Sequence, residues 1–479
     1  MQQLTGLDAA FLALDSPTAY GHVGSVSVLD PPTRGTAVTL ERLTGLIESR
    51  LHLVPPFRRR LAEVPFGLDN PYWIEDPDFD IEFHVRELAL PAPGDDRQLA
   101  VQAARLHARP LDRRRPLWET YLIHGLQGGR QAVYIKVHHA AIDGVSGNDL
   151  LAALMDTTPE PRDAAEPDSW RPETAPRAAE LLARSAASLA TNPIRAARVS
   201  AGIVRSLPAF VRSPARPWLP LIDRFVLRRD RGVILSAPPL IAPATPFNKN
   251  IGPHRRWAFT SLPLAQVKAI KNAAGVTVND VVMALCAGAL RTWLQKHDAL
   301  PDGPLVAAVP VSIRTEEQKG THGNRVSTII APLPTHLVDP AGRLEAVHEA
   351  MRAAKEQHNA LPAELLTDIA QFSMPALANQ ANRLSTRLRL LERVPPFNLF
   401  ISNVPGPNVD LYLCGARLDG VYPLSAIADG MGLNLTVLGS NGKLNFGALA
   451  DRDLVPDVDL IIDALKDELV ELSDAAGAS

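Results

Sequence analysis

The chain has almost no cysteine: only Cys286 and Cys414 occur in 479 residues, far apart and each inside an apolar segment. That excludes a disulfide framework and a CxxC metal or redox pair, and a reducing, cytoplasmic compartment is expected. A charge excess is also missing; the net charge of -3 gives no global reason to expect a nucleic-acid partner. The longest uncharged stretch, Gly232 to Asn248, is broken by four prolines and is unfit to be a spanning helix. The opening MQQLTGLDAAFLALDSP has no basic leader and carries Asp8 and Asp15 within its apolar stretch, which argues against a secretory signal. A P-loop and a GxGxxG after a strand are both absent, so ATP hydrolysis and Rossmann-type dinucleotide binding have no support.

What is present is an ordinary soluble composition, 46% hydrophobic and 21% charged, with 42 prolines that predict a loop-rich fold. Two domains are expected, because one hydrophobic core rarely serves more than ~250–300 residues. Residues 1–160 read as an α/β or α+β unit, with a strand at GSVSVLD and amphipathic helices at LERLTGLIESRL and QLAVQAARLHARPL. Residues 251–479 read as a second mixed domain. LPLAQVKAIKNAAG is a helix closed by Gly275, VNDVVMALCAGALRTWLQKH a buried helix starting near Asn279, and LVAAVPVSI a buried strand. GLNLTVLGSNGKLNFGALA is a hairpin turning at Asn441-Gly442, and Val458, Ile461, Ile462, Leu465, Leu469 and Leu472 form the stripe of a C-terminal helix.

Between them, 161–250 has the Pro, Asp, Glu and Ala content of a linker. From Arg177 to Arg231 it carries eleven arginines, no lysine and three acids, a local balance of +8. Arg198, Arg205 and Arg212 recur every seven residues with Arg195 a turn earlier, while Ile203, Leu207, Phe210 and Val211 lie toward another side. The pattern predicts a basic amphipathic helix kinked at Pro208. It serves either as a solvated bridge between domains or as a contact with an anionic membrane or lipid-droplet surface, worth on the order of 1 kcal/mol per arginine. Trp218, Leu219 and Leu221 would then be apolar anchors.

The chemistry concentrates in VYIKVHHAAIDGVSG. Strand parity puts Val133, Ile135 and Val137 on one face with His139, and Tyr134 and Lys136 on the other with His138. If the strand continues through 139, His139 projects from the apolar face, where desolvation keeps an imidazole neutral and able to act as a base. His138 supports it. A satisfied core histidine, a metal ligand and a general base are the competing readings. Metal is disfavoured because opposed strand neighbours rarely reach one ion and no third ligand sits at ligand spacing, so no metal or cofactor is expected. Asp143 lies where the chain turns into the helix around VSGNDLLAALMD and is assigned to holding that loop. Gly144 allows a tight turn or close approach of substrate.

His138 to Gly144, HHAAIDG, resembles the HHxxxDG motif of the bacterial wax ester synthase/diacylglycerol acyltransferases, relatives of chloramphenicol acetyltransferase and the nonribosomal condensation domains. LTGLDAAFLALDSP, RPLWE with Pro116-Leu117-Trp118, VND with Asn279-Asp280, PVSIR, GNRVS, SNVPGP and GLNLTVLGSNGKLNFGALADRDLVPD follow that family's order. The resemblance spans nearly the whole chain apart from the arginine-rich linker. It implies an α/β fold of two chloramphenicol-acetyltransferase-like domains, a pseudo-dimer with an active-site tunnel between them. Long-chain acyl-CoA is the implied donor substrate. The implied acceptor is diacylglycerol or a fatty alcohol, giving triacylglycerol or wax ester.

In the mechanism that follows, neutral His139 takes the hydroxyl proton and returns it to the CoA thiolate without an acyl-enzyme, acid–base help worth ~10²–10⁴ in rate. Ser402 and Asn403 are candidate oxyanion donors, against a reading as a turn before Pro405-Gly406. Asn279 either orients substrate or caps its helix, and Trp118 either lines the tunnel or, the favoured reading, packs in the core. Arg314 pairs with Asp143 or a CoA phosphate, and Asn324 and Arg325 meet the nucleotide or form loop salt bridges. Two other functions compete: a condensation-type acyltransferase fed by a carrier protein, and a lipid-surface binding protein with a vestigial site.

Overall fold

The computed structural model describes residues 1–31, 37–142, 147–162, 170–191, 242–312, 326–359 and 395–478. The expected basic helix around Arg195 to Arg212, and Asp143, Gly144, Arg314, Asn324 and Arg325, lie outside them.

Period-2 alternation builds the first sheet. In β2 (His22–Leu29), β6 (Trp118–His124) and β7 (Gln131–His138), successive side chains enter two different cores. Leu29, Trp118, Leu122, Val133 and Val137 join one core; Val26, Val28, Tyr121, Ile123, Ala132 and Tyr134 join the other. Helices α1 (Gly6–Ala13) and α2 (Leu40–Arg50) pack on the first face, and α4 (Asp96–His107) covers the second. A single turn, α3 (Ile81–His84), leads into β5 (Val85–Ala89). A small sheet of β1 (Gln2–Gln3), β4 (Tyr72–Glu75) and β3 (Arg59–Ala62) flanks this half, and α5 (Gly147–Leu154) and α6 (Ala178–Thr191) follow β7.

The second sheet runs β10-β9-β11-β14-β15-β8, with β8 Arg255–Pro263, β9 Leu305–Ser312, β10 Val326–Leu333, β11 Leu399–Val404, β14 Leu433–Ser440 and β15 Lys443–Asp451. Its helices are α7 (Leu264–Ala274), α8 (Val278–Lys296), α9 (Pro340–Asn359) and α10 (Asp459–Ala475). The whole stripe from Val458 to Leu472 is buried. Asn441 and Gly442, at φ 41° and 75°, make the turn of the expected hairpin, which needs positive φ at both positions. The cap of α8 differs from expectation: Thr277, not Asn279, takes that place, its hydroxyl accepting from the Asp280 N–H while the Asp280 carboxylate accepts from the Thr277 N–H.

Sheet order departs from a linear division of the chain. β12 (Tyr412–Leu413) and β13 (Ala416–Leu424) leave the second half and complete the first sheet, ordered β12-β13-β2-β7-β6-β5. The face between the halves is itself a core, in which Trp257, Leu449 and Tyr422 pack with Tyr134 and the apolar side of α4. Residues 242–250, placed by composition in the linker, also contribute: Phe247 is fully buried in the core between the second sheet and its helices, and the Asn248 amide donates to the Asn398 and Gly430 carbonyls. Among the described residues no single helix is long and apolar enough to cross a membrane.

Candidate active site

β7 ends at His138, one residue earlier than sequence parity assumed, and His139 opens a 3-10 turn through Ile142. The reason is a backbone exchange. The His138 N–H donates to the Leu117 carbonyl (2.9 Å), but the His139 N–H donates to Gly21 O (2.8 Å), in the loop before β2. The side chain of His139 stacks on Phe11 of α1, with ring centroids 4.1 Å apart. It is half-buried, and burial, aided by the neighbouring His138, lowers its pKa to about 4. The ring is therefore neutral at pH 7. Among the described residues its Nδ1 is buried without a hydrogen-bond partner.

His138 points the other way, as parity requires. Its Nδ1 accepts from the Ala140 N–H (3.1 Å), so the ring proton sits on Nε2 and is donated to Asp15 Oδ1 at 3.3 Å. Asp15 also accepts from the Gly21 N–H at 2.7 Å and lies 3.4 Å from Arg113. Burial pulls the Asp15 carboxyl upward, but His138, the Gly21 N–H and Arg113 outweigh it and hold it below its ordinary value. Gly21 leaves little room for a side chain: a Cβ would stand a tight 3.1 Å from His138 Nε2 and from the Phe11 carbonyl. The N-terminal motif thus supplies Phe11 to one histidine, Asp15 to the other, and the Gly21 carbonyl to the backbone between them.

Asp15 and Phe11 were not singled out from sequence, because nothing local links them to a histidine pair more than 120 residues away. Replacing Asp15 by asparagine keeps the shape and removes the charge. It is expected to lower kcat about tenfold, since charge-assisted hydrogen bonds contribute ~1.5–3 kcal/mol. Steady-state kinetics of the variant beside its melting curve checks this; an unchanged kcat would sink the idea that Asp15 positions the pair.

Beyond His138 the same side of β7 is a buried polar network. Lys136 Nζ donates to the Leu106 and Arg109 carbonyls at 3.1 and 3.0 Å and lies 3.4 Å from Glu119. His107 Nδ1 meets the Tyr134 hydroxyl at 2.9 Å, and His22 Nε2 meets the His107 carbonyl at 2.6 Å. Burial drives His107 down to about 3 and His22 well below its ordinary value. This network fixes the end of α4 to the strand that carries the site.

Trp118 is 1% exposed, stacked between Phe57 and His84 and donating its indole N–H to the Phe57 carbonyl at 2.8 Å. It packs in the core. On β11, Ile401 lies in the core of the second sheet and Asn403 shares its face, its amide reaching Asn279 Oδ1 at 3.4 Å. Ser402 shares the opposite face with Val404, which packs against the first core. Parity therefore separates the two oxyanion candidates. Asp280, besides its capping role, accepts from His348 at 2.8 Å. Among the described residues no three His, Cys, Asp or Glu side chains are grouped to hold a metal ion.

Comparison with known proteins agrees with this arrangement. The wax ester synthase/diacylglycerol acyltransferase catalytic domain matches residues 4–282, and the WS/DGAT C-terminal domain matches residues 322–473. Two Mycobacterium tuberculosis proteins named as diacylglycerol O-acyltransferases are similar over their length. One, tgs2, is 38% identical over 98% of both chains; the other, Rv1760, is 37% identical over 98% of this chain and 90% of its own. The solved wax ester synthase/diacylglycerol acyltransferase from Marinobacter aquaeolei VT8 superposes over 100% of both chains at a TM-score of 0.72 and 30% identity. The first condensation domain of the calcium-dependent antibiotic synthetase shares the fold, with a TM-score of 0.54 at 18% identity over 99% of this chain and 96% of that one. With the histidine turn, the two-sheet architecture and both family domains in agreement, this chain belongs to the wax ester synthase/diacylglycerol acyltransferase family and is an acyltransferase.

Proposed function

We propose that this acyltransferase moves a long-chain acyl group from CoA to the hydroxyl of diacylglycerol, or of a fatty alcohol, in one direct step. The observation that carries the proposal is His139: a neutral imidazole at the end of β7, stacked on Phe11 and fixed through the Gly21 carbonyl. With its ring proton on Nδ1, Nε2 accepts the acceptor's hydroxyl proton as the oxygen attacks the thioester carbon. The tetrahedral adduct then collapses, the carbon–sulfur bond breaks, and the departing thiolate takes the proton back from Nε2. No acyl-enzyme forms. Both substrates are bound together, so holding them in register contributes much of the acceleration.

Ser402 is the oxyanion donor this reading favours, because its strand face is that of Val404, which packs on the core to which Ala140 and Ala141 also belong, whereas the Asn403 amide already donates to Asn279 Oδ1. Acceptors of this class reside in lipid, so the proposal includes peripheral contact with an anionic membrane or droplet surface through the arginine-rich segment.

One assay panel tests the reading. Palmitoyl-CoA and palmitoyl-acyl-carrier protein are compared as donors, with diacylglycerol or hexadecanol presented in phosphatidylcholine vesicles with and without phosphatidylglycerol. Turnover with the carrier protein but not with CoA would replace this reading by a condensation-type one. A rate insensitive to phosphatidylglycerol would remove the electrostatic membrane contact.

A further inference from the structure

Arg97 and Arg105 stand two helical turns apart on α4, with Ala100, Val101 and Ala104 between them on the same face. Large side chains would close this face; these small ones leave a cavity of about 430 Å³ against the start of β8. The far wall carries Arg255 and Arg256, and Arg452 and Asp459 complete it. Five guanidinium groups thus share one cavity with a single carboxylate.

Two of the five are already held. Arg452 pairs with Asp453 at 3.2 Å, and Arg255 donates to Gly252 O and Thr18 O, 4.0 Å from Asp451. Arg97, Arg105 and Arg256 have no hydrogen-bond or ion-pair partner among the described residues, and the Nε of Arg256 is buried. Clustered like charges repel, and a half-buried guanidinium without an acceptor loses solvation. A bound polyanion relieves both.

We propose that this cavity binds the phosphorylated nucleotide end of a CoA thioester, an assignment that rests on the acyl-CoA reading above. A phosphomonoester together with a pyrophosphate matches three unpaired guanidiniums beside two held ones better than the one phosphate of a lipid headgroup. The alanine and valine floor of α4 suits the flat face of a base. The cavity is also built on the two segments that hold the histidines. Arg255 reaches the Thr18 carbonyl inside the loop from Asp15 to Gly21, and the end of α4 is fixed by Lys136, two residues before His138.

The test titrates adenosine 3′,5′-bisphosphate into the full chain and into the Arg97→Gln/Arg105→Gln/Arg256→Gln variant by calorimetry. The wild type is expected to bind with an affinity that falls as salt rises. The variant is expected to bind at least tenfold more weakly, about 1.4 kcal/mol. In turnover, the ratio of kcat/KM for palmitoyl-CoA to that for S-palmitoyl-pantetheine, which lacks the nucleotide, should fall at least tenfold. Equal bisphosphate binding by both proteins overturns the proposal. Loss of flotation with phosphatidate vesicles while bisphosphate binding persists also overturns it, in favour of a headgroup site. If the triple variant melts markedly lower, the Arg97→Gln/Arg105→Gln pair, whose side chains are exposed, replaces it. The titration needs no turnover, so a wild type that binds the bisphosphate yet transfers no acyl group would refute the catalytic reading and leave the site standing.

Discussion

Replacing His139 by alanine is expected to reduce kcat for acyl transfer by ~10²–10⁴, the usual worth of a positioned general base. The effect should appear in kcat rather than in the KM for either substrate, because the proton is transferred only in the transition state. The side chain is half-buried and, among the described residues, stacks on Phe11 alone, so the melting midpoint should move by no more than a few degrees. Turnover within tenfold of wild type would remove His139 from the chemistry. The pH profile gives a second check. With its pKa near 4, His139 stays neutral throughout the range where an exposed histidine protonates. The rate should therefore hold from pH 8 to 6 and fall only as pH approaches 4, whereas an exposed base would lose half its activity near pH 6.5.

Acid should destabilise the fold well before carboxylates protonate. His84 and His139 titrate near 4 and His107 near 3, all depressed first by burial, and His22 is also well below its ordinary value. Above about pH 6.5 these histidines are neutral in both folded and unfolded chains, and their stabilising contribution is complete. Below 6.5 the unfolded chain takes up protons that the folded one refuses. Stability then falls by up to about 1.4 kcal/mol per pH unit for each histidine, until pH reaches the folded values. Between pH 6 and 5 His84, His107 and His139 together could remove on the order of 3 kcal/mol, a large part of a domain's stability, and His22 acts in the same direction. Urea unfolding at pH 7, 6 and 5 measures it; midpoints that do not move would mean that the buried rings gain protons without unfolding.

Local pattern carried much of this structure. The alternation of QAVYIKVHH assigns Val133 and Val137 to one core and Tyr134 to the other, and the apolar stripe of α10 is buried as its spacing requires. The Asn441-Gly442 turn forms because its backbone preference overrides little else. At α8 a signal was present but passed over: Thr277 followed by Asp280 is the sequence form of a capping box, and it releases Asn279 from capping to meet Asn403. Where β7 stops is not a local property, since the Gly21 carbonyl that diverts the His139 N–H belongs to a segment more than a hundred residues earlier. Asp15 was invisible for the same reason. The arginine spacing on α4 can be read from sequence, but its meaning depends on β8, which reaches it only through the tertiary fold.

The late arrival of β12 and β13 has a consequence for synthesis. Until residue 424 has emerged, β2 has β7 on one side and an open row of peptide groups on the other. At ~5–20 residues per second, the interval between completing β7 and completing β13 is roughly 15–60 s. Throughout that time the nascent first half presents a bare, apolar sheet margin that favours pairing with another chain. The histidine turn is made early, but the sheet that carries it is sealed only near the end of translation.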